Sequence, residues 1–183
     1  MLSPGSYRLT VSASADGTGS YRFRLFDIAT ATPLTPGVLV SGGINPGNET
    51  DAYRFTASIG DRFSFNWITQ TDIPNSYWRL FDPFGNRLFG SGTADAGTIR
   101  LLATGTYTIL VEGYIGDITS GSYQFNVGFV DNVPVTFSGT PLTLGATING
   151  NLANATTTNS YTFTLGAASR LFFDTLVNAD FRW

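Results

Sequence analysis

A chain of 183 residues with only 13% charged side chains, a net charge of −3 and a pI near 4.7 shows a surface of neutral polar groups, mainly Thr, Ser, Asn and Gly, where ordinary domains are about 25% charged. It holds no Cys, no His and no Lys, its ten basic residues all being Arg; this excludes disulfides, thiolate or imidazole catalysis, a Ser-His-Asp triad, Cys- or His-ligated metal, Schiff-base chemistry and a P-loop lysine. No Arg cluster marks a nucleic-acid surface, and no apolar run reaches the about 20 residues that span a membrane.

Residues 1–30 contain no signal-peptide pattern. Met1-Leu2-Ser3-Pro4-Gly5 leads directly into strand-like sequence, so the signal of an exported protein is expected outside this chain. Further on, Tyr53, Phe55 and Ala57 alternate with Arg54 and Thr56, and Phe63, Phe65 and Trp67 alternate with Ser64 and Asn66. Tyr107, Ile109 and Val111 follow the same rule, as do Tyr123, Phe125, Val127 and Phe129. A period of two, with aromatic and β-branched residues, predicts half-buried strands. Turn formers separate them at Pro46-Gly47-Asn48, Ile59-Gly60-Asp61, Asp82-Pro83-Phe84-Gly85-Asn86, Ala103-Thr104-Gly105 and Ser120-Gly121. Gly42-Gly43 and Gly90-Ser91-Gly92 open no helix and read as strand ends or bulges rather than phosphate loops. The fold class predicted is all-β: tandem antiparallel sandwiches, jelly-roll-like, of about eight strands per copy.

Repetition sets the domain organisation. Thr32-Pro33-Leu34-Thr35 recurs 108 positions later as Thr140-Pro141-Leu142-Thr143, and the register runs on without a gap: Gly42 with Gly150, Tyr53-Arg54-Phe55-Thr56 with Tyr161-Thr162-Phe163-Thr164, Phe65 with Phe173. Gly5-Ser6-Tyr7-Arg8-Leu9-Thr10-Val11 matches Gly105-Thr106-Tyr107-Thr108-Ile109-Leu110-Val111, and Gly19-Ser20-Tyr21-Arg22-Phe23 matches Gly121-Ser122-Tyr123-Gln124-Phe125. Residues 1–28 are then the C-terminal part of a first repeat, 29–131 a complete one and 132–183 the N-terminal half of a third. The last residues, Phe181-Arg182-Trp183, align with Trp78-Arg79-Leu80 inside a strand. The expectation is a natural protein longer at both ends; a bolder alternative has half-domains of neighbouring chains completing each other.

The complete copy carries five motifs in order: Asp51-Ala52-Tyr53-Arg54-Phe55, Gly60-Asp61-Arg62-Phe63, Leu80-Phe81-Asp82-Pro83-Phe84-Gly85-Asn86-Arg87-Leu88, Gly105-Thr106-Tyr107-Thr108-Ile109-Leu110-Val111, and Gly121-Ser122-Tyr123-Gln124-Phe125-Asn126-Val127. Together they resemble the bacterial pre-peptidase C-terminal (PPC) domain. That resemblance implies a jelly-roll-like sandwich in a secreted or cell-surface bacterial protein, in tandem arrays or behind a secreted peptidase, with calcium bound in some members. The third copy departs from the pattern: Asn159 stands for the Asp of the first motif, and Ala168 for the Gly of the second.

Asp51, Asp61, Asp82 and Asn86 are oxygen donors near turns, the ligand type calcium takes; turn closure by the same side chains is the stronger competing reading. Tyr77 and Tyr114, in loop-like sequence, are candidates for a ligand-binding surface, while Trp67 and Trp78 alternate as core residues do. The only Glu residues are Glu49 and Glu112, and nothing singles out a catalytic pair among the eleven Asp. The function expected is non-catalytic: an extracellular repeat module with a structural, assembly or adhesion role. The alternative is an accessory substrate-binding domain of a secreted peptidase or other hydrolase. Expected partners are neighbouring repeats, other copies of the same protein, or extracellular protein or polysaccharide, with neither nucleic acid nor membrane insertion.

Overall fold

The computed structural model describes residues 4–14, 17–167 and 169–176; Ala168 and the Phe181-Arg182-Trp183 run lie outside the described residues. The chain divides into two units, Met1–Val135 and Thr136–Trp183.

In the first unit, the described residues before Asp27 form no β-ladder. Asp27 caps a single 3-10 turn, Ile28–Thr30, by accepting from the Ala29 N–H at 2.9 Å. Nine strands follow: β1 (Thr32–Pro33), β2 (Leu39–Ile44), β3 (Thr50–Ala57), β4 (Asp61–Thr71), β5 (Tyr77–Phe81), β6 (Arg87–Ser91), β7 (Gly97–Arg100), β8 (Gly105–Glu112) and β9 (Gly121–Asn132). They form a five-stranded sheet, β1-β3-β8-β5-β6, and a four-stranded sheet, β2-β9-β4-β7. All pairings are antiparallel except β1 with β3, which is parallel. The all-β antiparallel sandwich expected from the alternation is the fold observed.

The period of two explains which face each sheet buries. Tyr53 and Phe55 of β3, Trp78 and Leu80 of β5, and Tyr107, Ile109 and Val111 of β8 face inward from the first sheet. Phe63 and Phe65 of β4 and Tyr123, Phe125 and Val127 of β9 meet them from the second. The residues between point outward and are mostly polar. Bulges at Arg62/Phe63 and at Trp67/Thr69 bend β4, which tightens local twist and re-aims the side chains that follow.

Three strands go beyond the motifs read from sequence. Gly42 and Gly43 lie inside β2 rather than at its end, and Gly90-Ser91 closes β6 against Trp78 and Arg79. β7 lines the open side of β4.

In the second unit, β10 (Thr140–Pro141) pairs parallel with β11 (Tyr161–Thr162). The register is Thr140 with Tyr161 and Pro141 with Thr162, 108 positions on from Thr32 with Tyr53 and Pro33 with Arg54.

Candidate functional site

A polar group inside the sandwich joins β3 to β9 beside Gly42 of β2. Asp51, Tyr53 and Phe55 share the inward face of β3 because they are two residues apart. Tyr123, on β9, donates its phenolic O–H to Asp51 Oδ2 at 2.6 Å. Its own oxygen stands 2.6 Å from Tyr53 Oη; with the Tyr123 proton committed to the carboxylate, Tyr53 is the donor of that bond. Gly42, paired with Tyr123 across β2 and β9, leaves room for both phenols: a Cβ there would overlap Tyr123 Oη and Cζ and Tyr53 Oη.

Burial raises the Asp51 pKa, and the neighbouring Glu49 charge adds to this, against the Tyr123 hydrogen bond and Arg24. Burial also raises the phenols of Tyr53 and Tyr123, the latter further because its proton serves the carboxylate. A carboxyl group with a raised folded-state pKa adds stability below its unfolded pKa and loses it as pH rises through the folded value. Asp51→Asn keeps an acceptor for Tyr123 and removes the charge. Relative to the parent, the variant is expected to gain stability between about pH 4 and pH 7 and to match it at pH 3, read from urea midpoints across that range. A variant that loses ground on going from pH 3 to pH 7 would contradict this account of Asp51.

The sequence-derived donors each take hydrogen bonds of their own, Asp51 from Tyr123, Asp61 from Ser58 and Asn132, and Asp82 from Phe84 and Asn86. Among the described residues no three acidic side chains stand close enough together to hold a metal ion. Asp82 and Asn86 do meet. Asp82 Oδ1 accepts from the N–H of Phe84 at 2.9 Å and of Asn86 at 2.8 Å, and Oδ2 from Asn86 Nδ2 at 2.9 Å. Gly85, at φ +89°, turns the chain between them, a conformation that glycine adopts without strain. Slight burial pushes the Asp82 pKa up, but these hydrogen bonds outweigh it and hold the carboxyl below its usual range. Asp61 accepts from the Ser58 N–H at 2.7 Å and from Asn132 Nδ2 at 2.7 Å, tying the start of β4 to the end of β9. Asp61 and Asp82 both act on Tyr107 near the Gly105 end of β8, while Asp51 pairs with Val111 toward its other end.

Asp82→Ala removes three hydrogen bonds from one turn and is expected to cost about 1–2 kcal/mol, read by urea denaturation. An unchanged midpoint would show the turn to be closed by its backbone alone.

Tyr77 and Tyr114 are separated by role. Tyr77 opens β5 opposite Glu112, with the Arg79 guanidinium 4.7 Å above its ring centroid and Arg79 Nε 3.0 Å from Glu112 Oε2. Burial raises the Glu112 pKa against the pull of Arg79 and Tyr77. This outward cluster of aromatic ring, cation and carboxylate was not foreseen; its signal was the alternation of Tyr77 and Arg79 on the polar side of Trp78. Tyr114 is 52% exposed in the loop after β8. Trp67 and Trp78 line the interior as expected.

The second unit carries a groove of about 670 Å³. Asn149, Gly150, Asn159 and Tyr161 line it; in the repeat register these are the counterparts of Ser41, Gly42, Asp51 and Tyr53. The apolar residues of the N-terminal segment are exposed: Tyr21 at 70%, Phe23 at 58% and Leu25 at 88%.

No family model matches the sequence, and no curated protein matches it. Several solved structures resemble its fold. The PliG lysozyme inhibitor of Aeromonas hydrophila, a periplasmic inhibitor of g-type lysozyme, is 17% identical over 54% of this chain and 96% of its own, with a TM-score of 0.44. The pre-peptidase C-terminal domain of the Bacillus anthracis collagenase is 19% identical over 53% of this chain and 93% of its own, at 0.45. The PliG of Salmonella Typhimurium is 19% identical over 53% and 97%, at 0.39.

Proposed function

We propose that the chain is a non-catalytic β-sandwich repeat module of a larger secreted or cell-surface bacterial protein, with a structural, assembly or adhesion role. The observation that carries this reading is the recurrence of one strand register, β1 on β3 and β10 on β11, 108 positions apart. A repeated scaffold accounts for both the duplicated register and the placement of the polar side chains. Asp61, Asp82 and Asn86 close turns, and Asp51 braces two core tyrosines. Partners in keeping with it are neighbouring repeats, further copies, or extracellular protein or polysaccharide approaching the Tyr77 and Tyr114 surfaces. No helix among the described residues is long and apolar enough to cross a membrane.

The test uses the full chain. Denaturation followed by tryptophan fluorescence is expected to show one cooperative transition for the sandwich that holds Trp67 and Trp78. Incubation with protein and polysaccharide substrates is expected to give no turnover. Hydrolysis abolished by a single Asp substitution would overturn the reading. Calcium belongs to this proposal only at the Asp82–Asn86 turn. A site filled at 100 times its dissociation constant adds about 2.7 kcal/mol, so a melting shift below about 1 °C at millimolar calcium would remove the ion from the module.

A further inference from the structure

We propose that the outward face of the five-stranded sheet binds a carboxylated polysaccharide, seating one uronate ring in a cavity at Arg54. This rests on the module reading above and deepens it, naming the chemical class of the partner and placing its anchor on an arginine.

The first observation is which cations the fold leaves unpaired. On the strands, Arg62 pairs with Asp131 and Arg79 with Glu112, while Arg100 donates to the carbonyls of Val133 and Pro134. Among the described residues, Arg54 and Arg87 enter no ion pair. Both belong to the same outward face. Arg54 stands between the core residues Tyr53 and Phe55 and so points away from them. A Cβ at Gly90, which pairs with Arg79, would meet Arg87 Cδ and Nη1 at 3.5 Å and Arg79 Cγ at 3.6 Å. The two arginine side chains therefore lie together over β6. A chain of net charge −3 keeps two uncompensated cations on one sheet face, where their field draws in an anion.

The second observation is the cavity at Arg54. It holds about 320 Å³, at the small end of the about 300–1,000 Å³ that ligand sites span. Thr56 and Thr106, opposite each other across β3 and β8, line it with Arg54. Pro33 and Leu34 add an apolar wall. A guanidinium fork takes one carboxylate through two parallel hydrogen bonds. Two threonine hydroxyls, each both donor and acceptor, match the hydroxyls of a sugar, and Pro33 and Leu34 match the C–H face of its ring. An acidic peptide carries its carboxylate on a flexible stem and brings no ring hydroxyls to Thr56 and Thr106.

The third observation is spacing. Arg54 on β3 and Arg87 on β6 are three strands apart in the sheet, about 14 Å at about 4.8 Å per strand. One uronate reaches a single arginine, whereas a polymer charged on every ring reaches both. The repeat register separates Arg54 from the needs of the fold. Its counterpart is Thr162, while Pro33, Leu34 and Thr56 recur as Pro141, Leu142 and Thr164. β11 pairs with β10 in the same register with threonine at that position, so the ladder forms without the cation.

The test is affinity electrophoresis of the full chain through gels holding polygalacturonate. The parent is expected to be retarded, while fully methyl-esterified polygalacturonate, and polyglutamate at equal charge, leave its mobility unchanged. Arg54→Ala is expected to weaken binding at least tenfold, as loss of a charge-assisted pair does, and Arg87→Ala about threefold, as for an exposed charge. Arg54→Lys keeps the charge without the fork and is expected to recover part of the loss; it carries the test if the alanine variant does not fold. Arg62→Ala makes the same charge change on the other sheet and is expected to bind as the parent does. No retardation of the parent, equal retardation by polyglutamate, or equal losses for Arg54→Ala and Arg62→Ala would overturn the proposal. Any of these, with the cooperative tryptophan transition intact, leaves the module reading standing; absence of that transition in the parent removes the module reading and the site with it.

Discussion

Replacing Trp78 by alanine is expected to destabilise the sandwich by about 4 kcal/mol, within the 3–5 kcal/mol that truncating a buried Trp costs. Trp78 has no exposed surface and bridges the two sheets. Its ring centroid lies 5.4 Å from Trp67, 5.5 Å from Phe125, 6.4 Å from Phe65 and 5.1 Å from Phe89. The indole N–H donates to the Ala94 carbonyl at 3.0 Å, fastening the loop before β7 to the core. Alanine therefore removes four ring contacts, opens a cavity that stiff aromatic neighbours cannot close, and takes the indole donor from the Ala94 carbonyl. Against a total stability of about 5–15 kcal/mol, the change consumes much of the folded population. Trp78→Phe separates the terms: it keeps most of the packing and loses the hydrogen bond, with an expected cost of about 1–2 kcal/mol. The measurement is the urea midpoint at constant slope. A loss under about 1 kcal/mol for Trp78→Ala would mean that the sheets are held together elsewhere.

Trp78 was also among the residues whose place the sequence disclosed most plainly, and the reason is local. The alternation that marks Trp78 as core assigns it to a face without knowledge of any partner strand, whereas Tyr77 beside it, read as loop, in fact opens β5. The same rule disclosed Phe63, Phe65, Tyr107, Ile109, Tyr123 and Phe125, all buried, while turn-forming residues disclosed the Asp82–Asn86 turn. Strand order was not legible. β8 lies between β3 and β5, and β9 between β2 and β4, through pairings across as many as 87 positions, as between Leu39 and Asn126. Those pairings follow from burying both apolar faces at once rather than from any short stretch.

The candidate site divides the same way. Asp51 was singled out as an oxygen donor near a turn, whereas its spacing from Tyr53 and Phe55 already placed it on the inward face of a strand. Its partner, Tyr123, lies 72 positions away, and nothing local to Asp51 points there. Gly42 carried a signal of another kind: its recurrence as Gly150 marked a position where the repeat keeps a glycine. Why it does so became legible only when Tyr123 was seen across the strand.

Gly42→Ala is therefore expected to cost about 3 kcal/mol despite adding a single methyl group. Over-packing a filled interior costs about 1–3 kcal/mol, and here the added carbon overlaps Tyr123 Oη and Cζ and Tyr53 Oη. Neither ring can yield cheaply. Tyr123 is packed against Trp67 at 5.8 Å and Phe125 at 6.1 Å, and Tyr53 against Phe125 at 5.3 Å. Displacing Tyr123 takes its O–H from Asp51, leaving a half-buried carboxylate without its donor. That hydrogen bond lowers the Asp51 pKa, so its loss raises the folded-state value further. A raised carboxyl pKa weakens folding above the folded-state value and not below the unfolded one. The Gly42→Ala deficit is thus expected to be larger at pH 7 than at pH 3. Gly92→Ala, where an added Cβ meets nothing within 4 Å, supplies the control and is expected to change stability by less than about 0.5 kcal/mol. Combining Gly42→Ala with Asp51→Asn removes the charge and should abolish the pH dependence of the deficit while leaving the steric part. A deficit equal at pH 3 and pH 7 in the single variant would show that Gly42 matters only for space, with Asp51 independent of the tyrosine it braces.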